Sequence, residues 1–308
     1  DSFQEIDIKG VTIPITKHNF LVRKTEELAP TIREAFLIAK SGRPGPVLID
    51  ILKDATALNI QCEFTPAKKM DAKKAVAADK SLGHVIIPNK PSDAQIKEAA
   101  ELINASKKPI IYAGGGIGMS GAEAELLQLA EKNSIPVSES LMARSSFPAT
   151  HPLCTWMVGM HGTKASNMAI TEGDLIIALG ARFSDRVIGD PSKFGLNAKV
   201  LQIDIDPAEI NKNIPAFKSV VGDIKYILSK LIPLVKENKR KDWVKQIEEW
   251  KKDYPAIYDR NPKNSCNPKH LCEIINKVAG ENTFITTEVG QHQMWTAQFY
   301  PFTKPKTF

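Results

Sequence analysis

The chain has 308 residues, of which 43% are hydrophobic and 25% are charged, and its formal net charge is +6. This length predicts about two domains, and the composition is typical of a soluble globular protein. Because no run of about 18 apolar residues occurs, we expect no membrane span.

The basic residues and the cysteines each argue against a class of function. Lysines and arginines cluster at residues 68–74 and 236–241, but no aromatic residues are interleaved with them, so they favour solvated helix faces over a nucleic-acid site. No cysteine pair has C-x-x-C spacing, and no cysteine lies beside a histidine at the spacing of a zinc site. Reduced thiols of a cytoplasmic protein are therefore expected at Cys62, Cys154, Cys266 and Cys272.

Residues 1–54 are predicted to be the end of an α/β domain. Apolar residues at spacings of three and four predict a helix from residue 25, and the Gly- and Pro-containing stretch 41–45 ends it. The apolar run 46–51 then predicts a short, buried parallel strand. Residues 55–91, which are rich in lysine and contain several prolines, predict a linker.

Residues 92–240 predict a complete α/β domain. Ser92 and Gln95 form a capping box that begins a helix. Predicted strands and helices then alternate along the chain, which indicates a doubly wound parallel sheet covered by helices on both faces. The strands are expected at 109–113, 135–138, 174–179, 199–205 and 219–221, and the helices at 121–132, 163–170 and 224–238.

Residues 241–308 predict a linker and the start of another α/β domain. A helix is expected at 268–275 and a strand at 282–287, which ends at the sequence Glu288-Val289-Gly290. The unit would therefore contain the first strand-to-helix corner of its sheet.

A dinucleotide site is predicted at the strand ends of the central domain. Residues 116–121 match G-x-G-x-x-G after a predicted strand, with Glu139 near the end of the next one, although a glycine turn that needs positive φ explains this motif equally well. Three further strand ends strengthen the case, because ligands bind outside the carboxyl ends of parallel strands. They carry Gly180-Ala181-Arg182, Asp204-Ile205-Asp206 and Gly222-Asp223. These residues leave the choice between NAD and FAD open.

The sequence shows no recognisable catalytic triad and no metal-binding cluster, so it predicts no catalytic residue and no metal ligand in this chain. A lysine after a strand, such as Lys53, is most often solvated, and a histidine such as His161 is most often packed or hydrogen-bonded.

Seven segments, in this order along the chain, resemble the large (catalytic) subunit of acetohydroxyacid synthase, also called acetolactate synthase. They are residues 3–5, 15–19, 42–47, 159–163, 180–187, 203–210 and 289–295. Two positions depart from the pattern of many relatives, since Leu52 replaces a proline and Ser184 an aspartate.

The resemblance implies three α/β domains, which bind the pyrimidine of thiamine diphosphate, FAD and the pyrophosphate. Residues 1–54 would be the end of the first domain, 92–240 the whole second and 241–308 the linker and start of the third. The chain would thus be an internal fragment. Implied partners are further full-length chains in a homodimer or higher oligomer and a regulatory small subunit, and the implied location is the cytoplasm.

The resemblance also implies the contacts of each ligand. Substrate contacts would be Gln4, Lys53, Met160, Asp185 and Arg186, with Arg186 pairing with the carboxylate of the second 2-oxoacid. FAD contacts would be Arg43, Gly114, Gly115, Gly116, Ser140, Leu141, Met142, His161, Gly180, Ala181, Arg182, Val187, Asp204, Ile205, Asp206, Glu209, Gly222, Asp223, Gln293 and Met294. Thiamine diphosphate contacts would be Val289, Gly290, Gln291 and His292.

The implied reaction is the decarboxylation of pyruvate with thiamine diphosphate, followed by condensation with pyruvate or 2-oxobutyrate, in branched-chain amino acid biosynthesis. The glutamate that activates the cofactor and the segment that holds Mg²⁺ would lie outside this chain, so we expect the fragment to be inactive by itself. The alternative is a non-catalytic module, residues 92–235, that binds NAD or FAD.

Overall fold

The structure is a computed structural model that describes residues 5–61, 90–256, 267–280 and 282–308. It divides into two compact units, Asp1–Asn89 and Lys90–Phe308, which are described in turn. Among the described residues, no helix has the length and apolar character needed to cross a bilayer.

The first unit contains two parallel strands and a long helix. Its helices are α1 (Ile8–Thr12), α2 (Thr25–Lys40) and α3 (Lys53–Ala57), and its strands are β1 (His18–Val22) and β2 (Val47–Ile51). The predicted helix and strand are both present, and His18 pairs with Val47 in parallel register. However, β2 is half-buried and not buried as predicted, because β1 is its single neighbour among the described residues. Helix α3 enters the stretch predicted to be irregular, and residues 62–89 of the predicted linker lie outside the described residues.

The second unit is built on a six-stranded parallel sheet, as predicted for its class. Its strands are β3 (Pro109–Ala113), β4 (Val137–Glu139), β5 (Cys154–Met157), β6 (Leu175–Leu179), β7 (Lys199–Asp204) and β8 (Lys218–Val221). Their order is β5-β4-β3-β6-β7-β8. This is a doubly wound order in which the direction of winding reverses between β3 and β6.

Two elements of this sheet differ from the prediction. Strand β5 was not predicted, because Trp156 has a positive φ of 68° and the pairing with β4 shifts register between Val137 and Ser138, so the strand shows no regular apolar pattern. The predicted helix 121–132 is present as α6 (Glu123–Asn133), but a short helix that was not predicted, α5 (Gly116–Ser120), precedes it.

Helices cover both faces of the sheet. On one face pack α4 (Asp93–Ala105), α6 and α9 (Ile224–Leu231), and the other face is covered by α7 (Lys164–Glu172) and α10 (Lys241–Asp253). The capping box at α4 is confirmed, since the Gln95 N–H donates to Ser92 Oγ at 3.3 Å and the Ser92 N–H to Gln95 Oε1 at 2.9 Å.

Helix α10 extends the central fold beyond the predicted boundary at residue 240. Its buried residues Trp243, Ile247 and Trp250 lie at helical spacing, and they belong to the core beneath the sheet. The Trp243 Nε1–H also donates to the Pro109 carbonyl at the start of β3, at 2.9 Å. The helical cover of this sheet therefore continues to Asp253.

The C-terminal part contains α11 (Pro268–Ala279) and α12 (Gln291–Phe299). The predicted helix at 268–275 is confirmed, but the strand predicted at 282–287 is absent from the described residues. A strand needs a neighbouring ladder of hydrogen bonds. In this segment Ile285 makes one backbone bond, from its N–H to the Thr307 carbonyl at 2.8 Å, and no ladder forms.

Candidate functional site

Two glycine loops meet at the switch point of the sheet, after β3 and β6. The Gly114 N–H donates to Leu179 O at 2.9 Å, and the Gly116 N–H donates to Gly180 O at 3.2 Å. A Cβ added to Gly180, whose φ is 57°, would lie 2.6 Å from the Cα of Gly116. Only glycine therefore allows the two backbones to approach this closely, at the place where an open α/β sheet forms a ligand crevice.

The literal G-x-G-x-x-G match does not form a dinucleotide fingerprint. Residues 116–120 form the short helix α5, and Gly121, with φ 65°, ends it. The glycine turn after β3 is thus formed earlier, at Gly114 and Gly115. Glu139, the acidic residue near the end of the next strand, also does not fit that motif, because it is fully buried and pairs with Arg144.

Arg182 lies at the end of β6, next to this glycine contact, and its side chain is exposed. Its guanidinium makes no hydrogen bond or ion pair with another described residue. Burial raises the pKa of the Tyr112 hydroxyl on β3, and the charge of Arg182 opposes this rise. A positive charge therefore faces the edge of the sheet and is available to an anionic ligand.

The acidic residues after β7 and β8 support local turns. Asp204 Oδ1 accepts the Asp206 N–H at 3.0 Å, and Asp206 Oδ1 accepts the Ala208 N–H at the same distance. Asp223 caps α9 by accepting the Tyr226 N–H at 2.8 Å. Each carboxylate keeps further acceptor capacity, since it has about four lone-pair sites. These residues can therefore stabilise their turns and still accept bonds from a ligand.

The other predicted FAD contacts in the second unit differ in accessibility. Met142 packs beside the glycine turn, where a Cβ on Gly115 would lie 3.2 Å from the Met142 Cβ. Glu209 is buried and pairs with Lys212 at 3.2 Å. The other predicted FAD contacts of this unit lie in the segments that follow β4, β6, β7 and β8. They are Ser140, Leu141, Ala181, Val187, Ile205 and Gly222.

Three of the five predicted substrate contacts lie together. The Met160 N–H donates to the Arg186 carbonyl at 2.9 Å, and Asp185 and Arg186 lie on the short helix α8 (Asp185–Ile188). Met160 is 64% exposed, and the side chains of Asp185 and Arg186 are also open to solvent. Lys53 lies in the other unit, exposed at the start of α3, and Gln4 lies outside the described residues.

The second unit also brings α12 to the loop that carries His161. The Gln298 amide donates to the His161 carbonyl at 2.8 Å. A cleft of ≈ 760 Å³ lies here, lined in part by His161, Gln291 and Met294. Gly290 precedes α12, and Val289 and His292 are exposed. The FAD and thiamine diphosphate contacts predicted on α12 therefore lie close to the loop after β5, whereas Arg43 belongs to the first unit.

Comparison with known proteins finds similar sequences along the whole chain. A family model described as "Thiamine pyrophosphate enzyme, central domain" matches residues 96–231. Along its whole length the chain is 47% identical to the probable acetolactate synthase large subunit of Methanocaldococcus jannaschii, of which it covers 52%. Over 99% of its length it is 43% identical to the acetolactate synthase isozyme 1 large subunit of Escherichia coli, of which it covers 51%.

The chain is therefore similar to acetolactate synthase large subunits along its whole length. It spans about half the length of the curated relatives it matches, including the acetolactate synthase of Mycobacterium bovis, of which it covers 49% at 43% identity. The resemblance seen in the sequence is thus confirmed. These matches do not favour the alternative of a non-catalytic nucleotide-binding module.

The second unit contains a buried ion pair that the sequence did not predict. Arg144 and Glu139 contact each other with both side chains fully buried, and the Phe147 N–H donates to Glu139 Oε1 at 3.0 Å. The two residues are five positions apart, on either side of a turn, so no strand or helix periodicity connects them.

Among the described residues, no group of three or more His, Cys, Asp or Glu side chains could hold a metal ion. Arg182, the glycine turn and the carboxylates at the sheet edge have the donor and acceptor chemistry that a phosphate, a ribose and a flat ring require. The residues present therefore fit a dinucleotide such as FAD.

Proposed function

We propose that this chain is part of an acetolactate synthase catalytic subunit. The proposed reaction is the thiamine-diphosphate-dependent decarboxylation of pyruvate and its condensation with pyruvate or 2-oxobutyrate. The main support is the identity to acetolactate synthase large subunits along the entire chain. Because the relatives are about twice as long, the activity is proposed for the complete subunit, in which Mg²⁺ ligands are expected elsewhere.

The edge of the central sheet is the proposed FAD site. The observation that carries this proposal is the backbone contact between Gly116 and Gly180 at the switch point, with the exposed Arg182 beside it. Arg182 would pair with the pyrophosphate, and Asp204 and Asp206 would accept hydrogen bonds from ribose or adenine. The glycines would let the flat parts of the ligand approach the backbone.

The start of α12 is the proposed contact with thiamine diphosphate. Val289 and the corner formed by Gly290, Gln291 and His292 would meet its diphosphate end, and Gln293 and Met294 on the same helix would contact FAD. When bound, thiamine diphosphate supplies an electron sink for decarboxylation. The exposure of Val289 and His292 leaves this corner accessible.

Arg186 is the proposed partner of the carboxylate of the second 2-oxoacid. Its ion pair with Asp185 is long, at 4.0 Å, and well exposed, so it contributes little and is easily exchanged for a substrate carboxylate. The Met160 N–H donates to the Arg186 carbonyl, so the Met160 side chain would provide an apolar contact beside Arg186. The planar guanidinium suits bidentate binding of a carboxylate.

The names of relatives suggest partners for the complete subunit. "Large subunit" in the names of the M. jannaschii and E. coli proteins implies a small subunit, which we propose as a regulatory partner. We also propose that full-length chains form a homodimer or higher oligomer.

The test of the FAD site is direct. We expect the purified 308-residue chain to bind FAD, with quenched flavin fluorescence, and to bind NAD at least about tenfold more weakly, or about 1.4 kcal/mol. Equal or tighter binding of NAD would favour the non-catalytic module. If neither FAD nor NAD binds, the proposed site is contradicted.

A further inference from the structure

Arg144 lies at the meeting point of three segments of the second unit. It is 2% exposed and follows β4 directly after the turn that contains Met142. Its guanidinium carbon lies 4.9 Å from the ring centre of Trp156 on β5 and 5.7 Å from that of Phe302, which follows α12. One side chain thus contacts both the outermost strand β5 and the segment that follows α12.

The guanidinium is held by stacking and by one carboxylate. Nη1 contacts Glu139, whereas Nε and Nη2 have no hydrogen-bond partner among the described residues. A buried ion pair with unsatisfied N–H groups is a weak source of stability, because desolvation offsets much of the attraction. Stacking on aromatic rings requires the flat guanidinium, which lysine lacks. The arrangement therefore favours a role in orientation over one in stability.

Backbone contacts beside Arg144 join the same segments. The Ala149 N–H donates to the Phe302 carbonyl at 2.8 Å, and the Thr307 N–H donates to Ser145 Oγ at 3.3 Å. Residues 300–307 are therefore fixed to the loop after β4 on both sides of the ring of Phe302. Because this segment follows α12 directly, its position limits where α12 can lie.

We propose that Arg144 is a positioning residue that holds residues 300–307, and through them α12, against the edge of the central sheet. It would thereby keep Gln293 and Met294 in register with the glycine turn and Arg182. This inference rests on the proposed FAD site. It assigns no contact between Arg144 and the cofactor, and it predicts that FAD binding depends on a stacking contact made away from the flavin.

The decisive variant is Arg144→Lys, which keeps a positive charge for Glu139 and removes the planar group. We expect amide hydrogen exchange in residues 145–150 and 300–308 to become at least about tenfold faster, because local opening costs less when a contact is lost. FAD should bind at least about tenfold more weakly, and its bound absorption spectrum should resemble that of free flavin.

Arg240→Lys is the matched control. Arg240 is also buried, but it bonds to the ends of α4 and α6, far along the chain from α12. This variant should destabilise the fold and leave both the flavin spectrum and exchange in residues 300–308 unchanged. The double variant Glu139→Met with Arg144→Met replaces the ion pair by two apolar side chains. We expect its thermal stability to return to that of the unmodified chain, while its FAD affinity stays as low as that of Arg144→Lys.

Two results would overturn the inference. One is exchange in residues 300–308 that is no faster in Arg144→Lys than in Arg240→Lys. The other is a flavin affinity in Arg144→Lys equal to that of the unmodified chain. If the unmodified chain binds no FAD, the proposed FAD site fails, and with it the role of Arg144 in flavin binding. The exchange comparison then still decides whether Arg144 holds the segment.

Discussion

The Gly116 N–H donates to the Gly180 carbonyl at 3.2 Å, so the loops after β3 and β6 touch without a side chain between them. Gly180→Ala would place a Cβ 2.6 Å from the Cα of Gly116 at a φ of 57°. We expect it to lower the free energy of unfolding by about 2–4 kcal/mol, from the left-handed conformation and overpacking together. Urea unfolding followed by circular dichroism measures this change.

Gly118→Ala is the control for that variant. A Cβ at Gly118 meets no atom within 4 Å, and the residue lies inside the helix α5. Alanine should therefore leave the free energy of unfolding unchanged or raise it by about 0.4–1 kcal/mol. Equal destabilisation by both variants would mean that the close backbone approach at Gly180 does not exist in solution.

The fold was largely predictable where local pattern and packing agree. The strands β3 and β6 are uninterrupted apolar runs between glycine or lysine-rich turns, and every residue in them is buried. Strand β5 was missed because its pairing with β4 tolerates a bulge and the positive φ of Trp156. The run 282–287 has strand-like residues, but a strand also depends on a neighbour that local sequence cannot specify.

The site was predictable in its backbone and less so in its side chains. The carboxyl ends of parallel strands place the glycines, Arg182 and Asp204 on one edge by geometry. Glu139 is also the last residue of a parallel strand, yet its side chain is fully buried, where it pairs with Arg144. This ion pair depends on the path of the loop after β4, and the hydrophobic pattern of the sequence does not predict that path.

Arg182→Ala tests the phosphate contact of the proposed FAD site. Loss of a charge-assisted hydrogen bond costs about 1.5–3 kcal/mol, so the affinity for FAD should fall by about one to two orders of magnitude. Fluorescence titration of the 308-residue chain measures it. Lys193→Ala removes another exposed positive charge after β6 and should change affinity less than about threefold, because a surface charge is screened. Unchanged FAD affinity in Arg182→Ala would remove Arg182 from the site.

Arg186→Lys tests substrate orientation in the complete subunit. The side chain of Arg186 is 73% exposed, so the substitution should change stability by less than about 0.5 kcal/mol. Because lysine lacks the planar fork, we expect condensation to be impaired while decarboxylation of pyruvate is largely retained. Acetolactate and carbon dioxide are measured in parallel. Equal loss of both activities would indicate a folding defect and argue against a role in orienting the second substrate.

Cys154→Ala tests the electrostatic consequence of burial at β5. Burial, with a contribution from the charge of Glu139, raises the pKa of the Cys154 thiol from 9.0 to about 12. The folded chain then retains a proton that the unfolded chain loses, so this group's stability contribution is complete below about pH 9 and decreases as the pH rises towards 12. Compared with the alanine variant, the unmodified chain should therefore lose stability more steeply above pH 9. The measurement is thermal unfolding of both proteins at pH 8 to 10.5. If the stability of both falls equally with pH, the raised pKa of Cys154 is contradicted.

Arg240→Ala tests whether the Arg240 side chain stabilises the ends of α4 and α6. Its guanidinium donates to the Asn133 carbonyl at 3.0 Å, to Asn133 Oδ1 at 2.6 Å and to the Ile103 carbonyl at 3.0 Å, and it also contacts the Ser106 carbonyl. These acceptors lie at the ends of α6 and α4, so one side chain caps both helices. Arg240→Ala leaves them without this donor and should cost about 2–5 kcal/mol in urea unfolding.

Arg240→Gly separates the backbone from the side chain in that prediction. Arg240 has a φ of 41°, a left-handed conformation that glycine adopts freely and alanine does not. If the conformation persists, the glycine variant should be about 1 kcal/mol more stable than the alanine variant, while both remain well below the unmodified chain. A glycine variant as stable as the unmodified chain would show that the bonds to Asn133 and Ile103 contribute nothing, and that Arg240 is tolerated at this position without stabilising the ends of α4 and α6.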